Sequence, residues 1–246
     1  MGDSLTAEMI TFDGHGGDEV EAYLVRPTDG QPSRGGVIVI HHLPGWDRWS
    51  KAVTRRFAVL GYDAIAPHLY SRVGRGLSPD DAAAAARAQG GVPDEQVAGD
   101  MAGAATYLRG LDTSNGKVGV IGYCSGGRHA VLTACNVEVD AAVNCYGGFV
   151  TRDVPPESGM WMTSIIDQVP GLRAPMLGLF GNDDVSPSPE DVNDLEKVLV
   201  DNGKSYEFHR YDGAAHAFFC VDRPAYRPEA AVDGWERIET FFGRYL

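Results

Sequence analysis

The segment of this chain best suited to covalent chemistry is the hexapeptide Gly-Tyr-Cys-Ser-Gly-Gly at positions 122–127. It follows an apolar run at 117–121 that is typical of a buried strand, and a helix-compatible run comes next. A nucleophile on so sharp a strand-to-helix turn has a strained backbone, so the residues two positions away on either side must be very small. Gly122 and Gly126 meet this requirement. The pattern predicts that the side chain of Cys124 stands above the sheet as a nucleophile.

A cysteine at this turn predicts attack by a thiolate, whose pKa a helix N-terminus and a nearby histidine would lower. The backbone amide of Ser125 would then form half of an oxyanion hole, and the amide of Leu43, in the loop after the first parallel strand, would form the other half. The alternative interpretation is a small buried cysteine in a tightly packed turn.

Two later loops supply the partners that such a thiolate needs. Gly-Asn-Asp-Asp at 181–184 follows an apolar strand at 176–180, and Gly-Ala-Ala-His at 213–216 follows a strand at 205–211. His216 is the predicted general base, with a histidine at the edge of the core as the alternative. The register of the motif favours Asp183 over Asp184 as the carboxylate that orients the histidine, although aspartates in turns also bind the backbone.

The elements that must position these residues alternate between strands and helices. Strands are predicted at 36–41, 62–66, 117–121, 141–145, 176–180 and 205–211, and helices at 51–60, 95–111, after Ser125, near 190–201 and near 229–245. This order predicts a three-layer α/β fold, with a mostly parallel sheet and helices on both faces. Runs at 8–12 and 20–26 predict an antiparallel hairpin at the sheet edge. A short alanine-rich helix is predicted within 80–91, and residues 155–171 are predicted to be a long loop or irregular helix that could cap a site.

Composition narrows the classes of function. The 246 residues include 34 Asp and Glu but only 21 Lys and Arg, a net charge of −13 that is a poor match for nucleic acid or anionic lipid. The polar N-terminal 21 residues do not resemble a secretory signal, and no apolar run approaches the ~20 residues of a membrane span. We therefore expect one cytoplasmic domain over 1–246, a monomer or homodimer, with reduced cysteines and no metal site.

These motifs resemble the dienelactone hydrolase family of α/β-hydrolases, whose nucleophile turn reads Gly-Tyr-Cys-x-Gly-Gly. The likeness covers nearly the whole chain and includes the stretches 61–70, 115–119 and 181–187. The resemblance implies a triad of cysteine, aspartate and histidine, and hydrolysis of a small-molecule ester or enol-lactone through a thioester, with no cofactor. The order of Cys124, Asp183 and His216 along the chain is the order of that superfamily.

Two positions depart from the family pattern. The family's characterised lactonases carry a glutamate near the cysteine, where this chain has His42, which we expect either to stabilise the thiolate or to orient substrate. Those lactonases also bind a substrate carboxylate with arginines, and near the catalytic histidine this chain has Phe218 instead. Arg72 is the candidate for a remaining arginine, with Arg128 and Arg223 as weaker ones. Aromatic residues at Trp46, Trp49, Trp161 and Phe218 suggest an apolar pocket, although core packing would also explain them.

Alternatives remain open at this stage. A thioesterase, a carboxylesterase or a tailoring acyl-transfer enzyme would use the same triad. A non-catalytic thiol sensor would retain a reactive Cys124, but it would not need an aspartate and a histidine beside it. A dinucleotide-binding protein is disfavoured, because no GxGxxG motif follows the first parallel strand.

Overall fold

The centre of the molecule is one eight-stranded sheet, seen in a computed structural model that describes residues 4–28, 30–160 and 162–246. The strands are β1 (Leu5–Asp13), β2 (Glu19–Pro27), β3 (Gly36–Ile40), β4 (Asp63–Pro67), β5 (Val118–Tyr123), β6 (Ala141–Cys145), β7 (Met176–Gly181) and β8 (Tyr206–Tyr211). Their order across the sheet is β1-β2-β4-β3-β5-β6-β7-β8. β2 is antiparallel to both of its neighbours, β1 and β4. The remaining strands, β3 to β8, are parallel to one another and form a parallel block.

Helices cover both faces of this sheet. They are α1 (Arg48–Val59), α2 (Ser71–Gly74), α3 (Pro79–Ala88), α4 (Asp94–Arg109), α5 (Ser125–Asn136), α6 (Pro189–Asp201) and α7 (Pro228–Tyr245). Short 3-10 segments occur at His15–Gly17, Pro156–Ser158 and Ile166–Gly171. Within the described residues, no helix combines the length and apolar character that crossing a membrane requires.

Strand β3 shows why the sheet is buried on both sides. Val37 and Val39 pack into the core beneath α1 and α7, whereas Ile38 and Ile40 pack into the core beneath α4 and α5. Successive side chains of a strand point to opposite faces, so a run of five apolar or small residues suits a strand covered twice. The predicted three-layer fold, mostly parallel and with an N-terminal antiparallel hairpin, is confirmed.

Helix ends explain most differences between predicted and observed boundaries. The helix predicted at 51–60 begins at Arg48, because the Asp47 side chain accepts a hydrogen bond from the Ser50 amide at 2.9 Å and caps an earlier turn. Helix α6 begins at Pro189 behind a capping box made by Ser188 and Asp191. The hairpin strands β1 and β2 extend beyond the predicted runs at both ends.

Parallel strands place the chemically interesting loops together. The loops after β3, β5, β6, β7 and β8 all leave the carboxyl edge of the parallel block. This edge is where open α/β sheets place their binding sites, because several loops converge there on one crevice.

Candidate active site

Cys124 lies at the turn between β5 and α5 with φ 58° and ψ −125°, a conformation that side-chain-bearing residues rarely adopt. The turn is tight enough to require glycine beside it. A Cβ at Gly122 would lie 1.8 Å from the carbonyl oxygen of Gly126, and a Cβ at Gly126 would lie 2.4 Å from that of Ile40. The two glycines therefore permit the sharp turn that the hexapeptide predicts.

His216, in the loop after β8, is paired with Asp184. Its Nδ1 donates to Asp184 Oδ2 at 2.8 Å, and the Asp184 side chain is only 1% exposed. Asp183, which motif register favoured, is exposed, and its backbone N–H donates to the carbonyl of Ala214 in the histidine loop. The carboxylate beside the histidine is therefore Asp184, and the prediction of Asp183 is corrected. The turn after β7 directs the second of the two aspartates inward.

The Cys124 sulfur lies beside His216 and the backbone amides of Ser125 and Leu43, which stabilise its thiolate. Burial raises the pKa of the Cys124 thiol, but the histidine and the two amides outweigh it, so that the pKa is lower than that of an ordinary cysteine. Burial lowers the pKa of His216, whereas Asp184 and Cys124 together raise it to about 10. Both shifts favour a thiolate beside an imidazolium.

The two amides at the sulfur belong to the residues predicted for an oxyanion hole. Ser125 is the first residue of α5, so its N–H is among the unpaired donors of a helix N-terminus. Leu43 is held in place by Tyr70, whose hydroxyl donates to the Leu43 carbonyl at 3.0 Å. This bond anchors the peptide unit after Leu43, whereas the N–H of Leu43 lies in the peptide unit that contains the carbonyl of His42.

A buried histidine also supports the Leu43 loop. His41 Nδ1 donates to the carbonyl of His42 at 2.9 Å, and its Nε2 accepts from the Leu69 amide at 3.3 Å. Burial lowers the pKa of His41 to about 3, so the ring stays neutral and keeps one ring nitrogen as an acceptor. This ring has a structural task and does not contact the cavity.

His42, which was expected to stabilise the Cys124 thiolate or to orient substrate, has a different partner. Its Nε2 pairs with Asp47 Oδ2 at 2.7 Å, and its ring packs against Trp49 at a centroid distance of 5.3 Å. His42 is not among the residues that line the cavity at Cys124. Its interaction with the capping residue of α1 ties the loop after β3 to that helix.

A cavity of about 370 Å³ opens beside Cys124 and His216. Its wall is formed mainly by apolar side chains from the three loops after β3, β6 and β7, namely Leu43, Phe149, Met160, Met162 and Val185. Met160 and Met162 belong to the irregular segment at 155–171 that was predicted to cap a site. Sequence reasoning missed Phe149 and Val185 as wall residues. Val185 had one available signal, since it directly follows the aspartate pair at the end of β7.

The other predicted substrate-binding side chains lie elsewhere among the described residues. Trp46 donates from Nε1 to the Ala66 carbonyl at 3.0 Å, and its ring is stacked on His68. Phe218 is fully buried against Tyr146. These aromatics belong to the core, as their alternative interpretation held; Trp161 lies outside the described residues.

The candidate arginines are engaged with acids of the chain. Arg72 binds Asp100 through two nitrogens at 2.8 and 2.9 Å and Asp18 at 2.7 Å. Arg128 is completely buried and holds both oxygens of Asp94, at 2.7 and 2.8 Å. Neither arginine lines the cavity, and the exposed Arg223 does not line it either.

A parallel sheet with helices on both faces, a strained strand-to-helix turn at Cys124 after β5 and a histidine–aspartate pair on two later loops together define an α/β-hydrolase. Comparison with known proteins gives the same class. The model of the dienelactone hydrolase family matches residues 20–246. A protein of Methylorubrum extorquens AM1, provisionally named a carboxymethylenebutenolidase, is 33% identical over 92% of this chain and 77% of its own length. A protein of the same provisional name from Escherichia coli K12 is 33% identical over 93% of this chain and 84% of its own.

A solved structure shows the likeness in three dimensions. The crystal structure of a provisionally named dienelactone hydrolase from Klebsiella pneumoniae subsp. pneumoniae MGH 78578 superposes with a TM-score of 0.86 at 28% identity, covering 99% of this chain and all of that one. The chain belongs to the dienelactone hydrolase family, and it is a hydrolase.

Proposed function

We propose that this protein hydrolyses a carboxylic ester or lactone through a thioester formed on Cys124. The observation that carries the proposal is the set of contacts to one sulfur atom. The Cys124 sulfur meets His216 and the amides of Leu43 and Ser125 at the floor of a cavity. A nucleophile, a proton carrier and two oxyanion donors are the groups that acyl transfer needs within reach of one carbonyl. The provisional names of the relatives point to the same reaction.

Acylation begins with the thiolate of Cys124, which attacks the carbonyl carbon of the substrate. The carbonyl oxygen becomes negatively charged, and the amides of Leu43 and Ser125 stabilise it in place of the thiolate that they contact at rest. When the tetrahedral intermediate collapses, the bond to the alkoxy oxygen breaks and the His216 imidazolium protonates the departing oxygen. An alcohol is released, or stays attached through the ring chain of a lactone, and a thioester remains.

Deacylation uses the neutral imidazole left by the first step. His216 removes a proton from water, the hydroxide attacks the thioester, and the same two amides hold the oxyanion. Collapse breaks the carbon–sulfur bond, releases the carboxylic acid and regenerates the thiolate beside the imidazolium. Asp184 holds the ring with Nδ1 protonated, so that Nε2 alternately gives and takes the proton.

The test is an intact-mass measurement after mixing the protein with an activated ester such as 4-nitrophenyl butyrate. We expect one butyryl group on Cys124 as an intermediate, with turnover lost in Cys124→Ala. Cys135→Ala is the matched control, because Cys135 is also partly exposed but burial raises the pKa of its thiol to about 11. That variant should retain the adduct and the turnover.

Other outcomes identify the rival functions. Turnover of thioesters well above oxygen esters and lactones would make the protein a thioesterase, and transfer of the butyryl group to an added alcohol in preference to water would make it an acyltransferase. Absence of any adduct and of turnover, with a Cys124 thiol that peroxide still oxidises, would refute the proposal and favour a thiol sensor.

A further inference from the structure

We infer that the part of the substrate occupying the cavity beside Cys124 is uncharged and apolar, such as an aliphatic or aromatic group, and carries no carboxylate. This inference rests on the proposed function, since it specifies the ester that the same site would accept. It also separates this chain from the lactonases of the family that hold a substrate carboxylate with arginines.

The wall of the cavity supports an apolar occupant. Phe149, Met160 and Met162 line one part of it, and Leu43 and Val185 line others. Burial of apolar ligand surface against such side chains is favourable, and the flexible thioethers of methionine adapt to ligands of different shape. The volume of about 370 Å³ falls within the usual range for small-molecule sites.

Charge near the cavity disfavours an anion. The only basic side chain among the described lining residues is His216, which is already neutralised by the Asp184 carboxylate and contacts the Cys124 sulfur. Arg152 packs over the Phe149 ring and donates to the Val185 carbonyl, but its guanidinium is paired with Asp191 at 3.0 Å. A substrate carboxylate would therefore lose its hydration without gaining a free cation, and it would lie near a thiolate. The net charge of −13 adds a field that repels anions from the entrance.

The buried arginine nearest in sequence to the nucleophile builds the wall instead of binding substrate. Arg128 donates from Nε to the carbonyl of Phe149 at 3.2 Å and from a terminal nitrogen to the carbonyl of Thr163 at 2.7 Å. These contacts fix the backbone beside Phe149 and Met162, two of the apolar wall residues. The guanidinium thus helps to shape an apolar surface, while its charge is paired with the Asp94 carboxylate.

The test compares esters of equal length that differ in one charge. 4-Nitrophenyl hexanoate and the 4-nitrophenyl monoester of adipic acid place a methyl group or a carboxylate at the same position of the acyl chain. 4-Methylphenyl acetate and 4-carboxyphenyl acetate do the same for the leaving group. We expect kcat/KM for the neutral member to exceed that for the anion by about 30-fold or more in at least one pair, after subtraction of the rate with Cys124→Ala. Equal rates or an anion preference in both pairs would overturn the inference.

A variant that introduces a positive charge at the rim tests whether electrostatics causes the preference for the neutral ester. Val185 is 82% exposed at the rim, so Val185→Arg can be introduced without disturbing the core. We expect the ratio of anionic to neutral kcat/KM to rise about two- to fivefold in Val185→Arg, as for a solvent-exposed ion pair, and to stay constant in the uncharged control Val185→Gln. An equal change in both variants would contradict the electrostatic reasoning.

A binding measurement keeps the inference testable without turnover. Hexanamide and the monoamide of adipic acid are offered as ligands, and protection of Cys124 against iodoacetamide is measured. Protection by hexanamide at concentrations at least tenfold lower supports the inference even if no ester is hydrolysed, in which case only the proposed function fails. Better protection by the anion would overturn the inference alone.

Discussion

Replacement of Asp184 by asparagine is the sharpest test of the corrected site, because asparagine keeps the shape of the side chain and removes its charge. Asp184 Oδ1 accepts a hydrogen bond from the Ser186 amide at 2.8 Å, and Oδ2 accepts from His216 at 2.8 Å. In the variant, the amide oxygen would remain on Ser186, and the NH2 group would face His216 Nδ1. That group can only donate, so the ring proton would move to Nε2.

The expected loss follows from this geometry. A hydrogen bond to a charged group contributes about 1.5–3 kcal/mol, which corresponds to about 10- to 150-fold in rate. A histidine protonated at Nε2 also cannot accept the proton of Cys124 or of water, and in Ser-His-Asp enzymes the same substitution lowers kcat about 10⁴-fold. We therefore expect kcat/KM of Asp184→Asn to fall about 10²- to 10⁴-fold. The pKa of Cys124 should rise with the loss of the neighbouring imidazolium.

The assay is the hydrolysis of a neutral 4-nitrophenyl ester, together with the rate of Cys124 alkylation as a function of pH. Asp183→Asn is the matched control, because its exposed side chain is one residue away and the substitution is chemically identical. It should change kcat/KM less than about threefold, within the usual range for surface substitutions. A loss in Asp183→Asn equal to that in Asp184→Asn, with both variants folded by circular dichroism, would refute the assignment.

Three further results are expected. His216→Gln should raise the pKa of Cys124 above its ordinary value, since burial then acts without its main opposing contact, and the pH dependence of alkylation measures this shift. Burial lowers the pKa of His129 from 6.5 to about 3. As the pH falls from 6.5 towards 3, the unfolded chain therefore takes up a proton at this histidine before the folded protein does, and the free energy of unfolding decreases. His129→Leu should weaken that fall in thermal denaturation, whereas exposed His15→Gln should not. Arg128→Met should lower Tm by roughly 6 °C or more by leaving a carboxylate and two carbonyls unpaired, and a shift below 2 °C by calorimetry would contradict this account.

The sequence predicts the parallel sheet well, because the spacing of apolar residues and the order of strands and helices along the chain depend on many residues at once. Five consecutive apolar or small residues in β3 indicate a strand covered on both faces, and the structure confirms it. Element ends depend on single side chains, so they are less predictable. The capping bond of Asp47 extends α1 beyond its apolar pattern, and α2 has only four residues, too few to show a period.

The position of Cys124 could be predicted because backbone constraints define it. Gly122 and Gly126 lie where a Cβ would collide with backbone, so they mark the turn in the sequence itself. The choice between Asp183 and Asp184 has no such marker. Both follow the same strand, and their side-chain directions are set by a backbone contact to Ala214 that no local pattern indicates.

The arginines show a deeper reason why recognition is harder to predict than chemistry. A guanidinium is available to a substrate only if no acid of the chain holds it. Asp100 and Asp18, which hold Arg72, are 28 and 54 residues away in sequence, and Asp94, which holds Arg128, is 34 residues away. Neither pairing has a local signature, so each arginine looks equally free in the sequence. Once both are paired, the residues left to select a substrate are the apolar ones on loops, such as Met162 and Val185. The residues of the proposed reaction therefore lie in short rigid motifs, whereas the charge of the substrate that the site would accept depends on which side chains are not already paired within the fold.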